Sequence, residues 1–170
     1  MSAKTDVAII RDLAKRYAEV AAKPIQDERR DLWRRHNSLQ RTRPLISCRW
    51  FACWHEHPWS VLECQDPFWQ VHERFLKQML AQDEIGDDYI IEPWIVLRAS
   101  VQSPPHGRWG VPYGRISTGV AGGAWKYDPP LKRLEDIDKL AHPQHVIDER
   151  ATRENFERLR DAVGDILTVT

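Results

Sequence analysis

The residues of this chain best equipped for chemistry crowd into one short stretch: Cys48, Cys53, His55, His57 and Cys64. Thiolates and imidazoles are ligands that zinc takes readily. His55 and His57 stand two apart, which on a strand points both imidazoles the same way. Yet the stretch has no C-x-x-C pair and no H-x-x-x-H on a helix, and buried cysteines commonly serve as small apolar residues. No metal is expected in this chain. A second candidate is Glu92, which directly follows Tyr89-Ile90-Ile91 and precedes Pro93. A partly buried carboxylate at a strand end could donate a proton or orient a substrate. Equally, it could pair with Arg98 and do nothing catalytic.

These groups need elements to hold them. Asp66 is a good N-cap and Pro67 suits the first helical position. Phe68, Val71, Phe75, Leu76, Met79 and Leu80 follow at helical spacing and predict one wide apolar face. Gly86 and Asp87-Asp88 punctuate the turn, and Tyr89–Ile91 predicts a strand apolar on both faces, as in a central parallel strand. Asp87 and Asp88 read as turn and strand-entry residues. Before this unit, residues 5–22 form an amphipathic helix, residues 27–37 a surface helix, and residues 44–50 the first strand. After it, Pro93 interrupts the ladder, and residues 94–101 resume as an edge segment. Residues 103–130 hold six of the eight glycines and five prolines, so turns and short strands such as 108–115 are expected there. The glycines of GVAGGAW do not open a helix after a strand, as a dinucleotide loop must. Residues 134–140 give a short helix, and Asp148 N-caps a longer one ending near Gly164. Asp165 to Thr170 predicts a buried strand with no neighbour after it, as if cut from a larger domain.

Composition excludes some classes. Twenty-five basic and 25 acidic residues are interspersed, so no broad nucleic-acid or membrane surface is expected. MSAKTDVAII lacks the shape of a signal peptide and no apolar run is long enough to span a bilayer, so the expected compartment is the cytoplasm. Eight tryptophans imply a large core or an extensive buried contact.

Four stretches occur in a telling order: LWRRHNSLQRTRPLI (Leu32–Ile46), the Asp66 helix with GDDYII (Gly86–Ile91), GGAWKYDPPLKRLEDIDKL (Gly122–Leu140) and VGDILTV (Val163–Val169). Together they resemble the N-terminal part of the uroporphyrinogen decarboxylase superfamily, in the branch linked to corrinoid-dependent methyl transfer. The resemblance implies an α/β fold, namely a partial (β/α)8 TIM-type barrel with N-terminal helices and the first strands, ending before the barrel closes. Residues 1–170 are then expected to be a single domain or part of one, with a helical segment at residues 1–43 and the first β/α units at residues 44–170, including a Gly/Pro-rich insertion at about 102–130. Arg49 stands where the true decarboxylases carry the first arginine of a strand-end motif, where it would hold a substrate carboxylate. The alternative is a surface or interface arginine. The motif's next glutamine is Trp50 here and its Gly-Arg pair is absent, which sets the chain apart from the true decarboxylases. His55 and His57 would line the cleft beside Arg49, and Glu92 lies near the family's strand-end aspartate. The related methyltransferases bind zinc through a His-x-Cys pair, which this chain lacks. No cofactor is expected within the chain itself; a corrinoid would come with a partner protein. The other expected partners are a complementary C-terminal barrel chain or further copies of this one. The competing expectation is a stand-alone, non-catalytic α/β protein that binds a protein partner or a tetrapyrrole-like ligand.

Overall fold

The computed structural model describes residues 5–49, 53–102, 109–120, 123–143 and 146–170. The chain is α/β. It divides into two units, residues 1–97 with 156–170, and residues 98–155.

In the first unit, α1 (Asp6–Ala21) is capped by Thr5, whose hydroxyl accepts from Ala8 N–H. Its Ile10, Leu13, Ala14 and Tyr17 are buried. The second helix, α2, spans Ile25–Asn37 and starts two residues earlier than expected. It is less superficial than its sequence implies, because Gln26 and Arg29 are buried. Gln26 donates to the Val20 carbonyl and accepts from Ile91 N–H. The third, α3 (Pro67–Ile85), has the expected Asp66 cap, which accepts from Phe68 N–H at 2.8 Å, and ends at Gly86 with φ 70°. That left-handed turn suits glycine, which has no Cβ to clash.

The buried face of α3 is turned from the expected one. Val71 is 64% exposed, whereas Trp69, His72, Glu73 and Lys77 are buried beside Leu76 and Leu80. The shift has a polar cause. Glu73 is fully buried because it accepts from the Glu63 and Cys64 N–H groups and pairs with Lys77 at 2.7 Å. Lys77 donates onward to the Val61 carbonyl. A buried charge survives only when paired and hydrogen-bonded, and here both conditions hold.

The expected strands at residues 44–50 and Tyr89–Ile91 do not form ladders in the described residues, which exclude Trp50. Side chains take the backbone groups that neighbouring strands would have used. Asp88 Oδ2 accepts from Ile46 N–H and Asp87 Oδ2 from Cys48 N–H. Tyr17 O–H donates to the Glu92 carbonyl and Trp33 Nε1–H to that of Asp88. Backbone polar groups must find partners: the Asp87-Asp88 carboxylates serve Ile46 and Cys48, and side chains of α1 and α2 serve residues 88–92. The ladder forms instead past Pro93. There β1 (Trp94–Ile95) pairs in parallel with the last strand, Thr168–Val169, which therefore has a neighbour.

In the second unit, β2 (Val101–Gln102) pairs antiparallel with β5 (Val146–Ile147). A hairpin joins β3 (Gly114–Ser117) to β4 (Trp125–Asp128), placing the strand somewhat later than the expected 108–115, of which residue 108 lies outside the described residues. Leu134–Lys139 is a 3-10 helix. The fourth α-helix, α4 (Glu149–Val163), begins at Asp148, whose carboxylate accepts from Ala151 N–H. Its last turns, in the first unit, bury Leu159, Ala162 and Val163, and β6 (Thr168–Val169) follows. Arg11 caps the end of α4 by donating to the Ala162 carbonyl and forking onto Asp165. Among the described residues, no helix is long and apolar enough to cross a membrane.

Candidate functional site

The first unit holds a groove of about 540 Å³, walled by Trp33 and Asn37 of α2, Ser47 and Arg49, and Tyr89 and Ile90. Its position follows from the Asp87-Asp88 pair. Arg43 forks onto Asp88 at 2.5 and 2.7 Å, and Ile46 N–H reaches the same carboxylate at 2.9 Å. Arg43, above all, and the Ile46 N–H hold the Asp88 carboxyl down at about 2, against the opposing effect of burial. Asp87 fixes the next turn of chain by accepting from Cys48 N–H at 2.6 Å and from Gln82 at 2.7 Å. Gln82 also donates to the Cys48 carbonyl. With residues 46 and 48 pinned, Ser47 and Arg49 are left for the groove.

Arg49 is exposed, with its guanidinium carbon 5.9 Å from the Tyr89 ring centre. No carboxylate partner engages it among the described residues. An unpaired guanidinium beside aromatic faces and small polar donors suits an anion with a flat body, since arginine combines forked hydrogen bonds with stacking. Among the described residues, the walls offer donors and rings but no carboxylate, imidazole or thiol.

The other expected site residues lie apart from these walls. Glu92 is engaged by Arg30, which donates to its carboxylate at 2.7 and 3.1 Å and also pairs with Asp27. The ion pair of Glu92 is thus with Arg30. His55 is exposed, 3.7 Å from the Glu56 carboxylate. His57 stacks on Trp54 and accepts from Trp59 N–H through Nδ1, capping the Pro58–Ser60 turn. Cys48 and Cys53 are exposed, and Cys64 is buried. Burial, reinforced by the neighbouring Glu73, pushes the Cys64 thiol up to about 12. That value makes it a poor thiolate. Among the described residues, no three histidine, cysteine or acidic side chains are placed to hold a metal.

Trp33, Asn37 and Tyr89 were not foreseen as part of a site, nor were Asp87 and Asp88 as its anchors. The available signal was a pair of adjacent carboxylates following a helix end, with arginines upstream to meet them. No protein-family model, curated protein or solved structure matches the chain.

Proposed function

We propose that this chain is the N-terminal portion, or a split subunit, of a uroporphyrinogen decarboxylase-like, corrinoid-linked methyltransferase acting in the cytoplasm. The observation that carries the reading is the parallel pairing of Trp94–Ile95 with Thr168–Val169, with the short strands of the second unit and then α4 lying between them in sequence. A parallel pair needs a crossover, usually helical, and strand–helix–strand is the repeating unit of a (β/α)8 barrel. The family resemblance of the sequence points to the same architecture.

In this reading Arg49 holds a substrate carboxylate at the groove edge, while Tyr89 and Trp33 cover the flat part of the molecule. Barrel active sites draw groups from several strands, so the remaining chemistry belongs to a complementary polypeptide. A corrinoid is supplied by a partner protein. The described ligand set and the missing His-x-Cys pair do not fit the family's zinc site, and no step is assigned to a metal. Glu92, tied to Arg30, serves to orient the chain or substrate.

The test begins with the coding DNA beyond codon 170. A continuing or adjoining frame with further β/α repeats and His-x-Cys is expected. Its product, mixed with this chain, should transfer methyl groups to or from a corrinoid protein, and Arg49→Ala should abolish most of that transfer. A complete surrounding gene without such repeats would overturn the reading. The absence of a base among the groove walls favours a second reading, a non-catalytic protein that binds a tetrapyrrole-like anion. Arg49-dependent binding of such a ligand by the chain alone, with no transfer in any mixture, would establish that instead.

A further inference from the structure

The β3–β4 hairpin sorts its side chains sharply. Its register sets Arg115 opposite Tyr127 and Ser117 opposite Trp125. Alternation brings Tyr113 to that same face and sends Ile116 and Lys126 to the other. The Tyr113 and Tyr127 rings lie 6.4 Å apart. With Trp109, Val111, Pro130 and Leu140 they wall an open groove of about 390 Å³. Trp109, Tyr113 and Tyr127 are 57%, 58% and 48% exposed, so these rings are not spent on a core. Their polar tips, one indole N–H and two phenol O–H groups, have no hydrogen-bond partner among the described residues. Farther along the same face, the Arg115 guanidinium lies 4.3 Å from the Trp125 ring centre. It too lacks a carboxylate partner among the described residues.

We propose that this face binds a proline-rich segment of a partner protein, in polyproline II form, with an acidic residue beside the prolines meeting Arg115. Polyproline II has no internal hydrogen bonds, so its carbonyls project outward and need donors. The tips of Trp109, Tyr113 and Tyr127 are such donors, set around apolar walls that fit proline rings. The groove walls carry no charge, and Arg115 is the charged residue of the hairpin face that continues them. Complementarity therefore selects an acidic flank over a basic one. A sugar would demand paired polar groups along its rim, which the walls do not supply. The proposal uses only the second unit and stands apart from the methyltransferase reading.

The experiment titrates the 170-residue chain with three synthetic peptides, by calorimetry and by amide chemical shifts. One carries a Pro-x-x-Pro core flanked by glutamates, one the same core flanked by lysines, and one has alanines in place of the prolines. The glutamate-flanked peptide should bind tightest, with shifts centred on β3 and β4. Tyr127→Ala should weaken it at least about tenfold, as loss of a central aromatic anchor does. Arg115→Glu should reverse the preference between glutamate and lysine flanks. That exposed substitution leaves the hairpin intact, so a reversal is readable even if Tyr127→Ala disturbs the fold. Equal binding of the alanine peptide, indifference to flanking charge, or tighter binding of a neutral oligosaccharide or an oligonucleotide would each overturn the proposal. So would a dissociation constant for the glutamate peptide weaker than about 1 mM.

Discussion

The two units keep their side chains in opposite ways. In the first, Ile10, Leu76, Ile91, Ile95, Leu159 and Val163 are nearly inaccessible and belong to one continuous core. In the second, the one buried residue among those described is Asp136, while Trp109, Tyr113, Trp125 and Tyr127 stand half exposed. Asp136 accepts from the N–H groups of Lys132 and Arg133 and from Lys139 Nζ. One unit is held by apolar burial, with the buried Glu73 and Lys77 charges set against each other. The other is held by local hydrogen bonds and short ladders, which leaves its aromatic surface for contacts with other molecules. Local opening should cost less in the second unit, where few apolar contacts are made.

The largest effect should come from the buried pair of the first unit. Glu73→Ala leaves the buried Lys77 with only the more distant, exposed Glu63 carboxylate at 3.3 Å, and also strands the Glu63 and Cys64 N–H groups. Loss of one partner from such a pair costs about 3–5 kcal/mol. Urea unfolding should show this, and the Glu73→Ala/Lys77→Ala double variant should lose less than the sum of the singles. A loss below about 1 kcal/mol, as for surface ion pairs, would mean that charge pairing does not sustain this unit.

Next comes a contrast within one helix. Leu76→Ala should cost about 2–5 kcal/mol through cavity formation, whereas Val71→Ala should stay within about 0.5 kcal/mol, as surface changes do. Leu76 is fully buried and Val71 is 64% exposed. Hairpin amide signals from β3 and β4 that persist in Leu76→Ala would sharpen the division into units. Their collapse together with the core would break it.

The helices were legible in the sequence because their signals are local. Thr5, Asp66-Pro67, Gly86 and Asp148 mark termini through contacts within a few residues. The face of α3 was legible only in part. Helical spacing identified Leu76 and Leu80, but Glu73 and Lys77 are buried through the Val61–Cys64 segment, a contact that spacing cannot encode. The strands were misplaced for the same kind of reason. Ile46, Cys48 and Ile91 donate to side chains of Asp88, Asp87 and Gln26, so apolar runs that read as ladders are tied to carboxylates and an amide. Of the candidate site, Arg49 was singled out from the sequence. Its groove was not, because Trp33, Asn37 and Tyr89 reach it only through packing.

A smaller effect is expected in the second unit. Lys139, foremost, and the Lys132 and Arg133 N–H groups hold the Asp136 carboxyl at about 2, below its ordinary value near 3.8. The unfolded chain takes up this proton first as the solution is acidified. The stabilisation is therefore complete above about pH 4 and is lost as pH falls through about 2. Asp136→Asn should accelerate amide exchange at Lys132 and Arg133 near neutrality and reduce its acid dependence. Unchanged protection would show that the segment does not rely on this carboxylate.

The smallest effect belongs to His72, and it probes how the first unit's core treats a titratable ring. His72 is 7% exposed, with its ring edge-on to Phe68 at 4.8 Å and tilted against Trp69 at 6.3 Å. Arg158 lies over both aromatic rings, and its guanidinium also pairs with Asp66. Burial first, and then the positive charge of Arg158, lower the His72 pKa from its ordinary 6.5. The unfolded chain consequently binds a proton that the folded chain refuses. Stability is fully present above about pH 6.5 and declines as pH falls toward the folded value, with a slope no steeper than about 1.4 kcal/mol per pH unit for one proton. His72→Phe keeps a ring against Phe68 and Trp69 but has nothing to protonate. Urea midpoints between about pH 7.5 and pH 5 should fall for the natural chain and stay flatter for this variant. Arg158→Gln should raise the pH at which the natural decline levels off, because the repelling charge is gone. Identical pH profiles for the natural chain and His72→Phe would mean that the ring is protonated in the fold as readily as outside it, and that this end of the core is open to water.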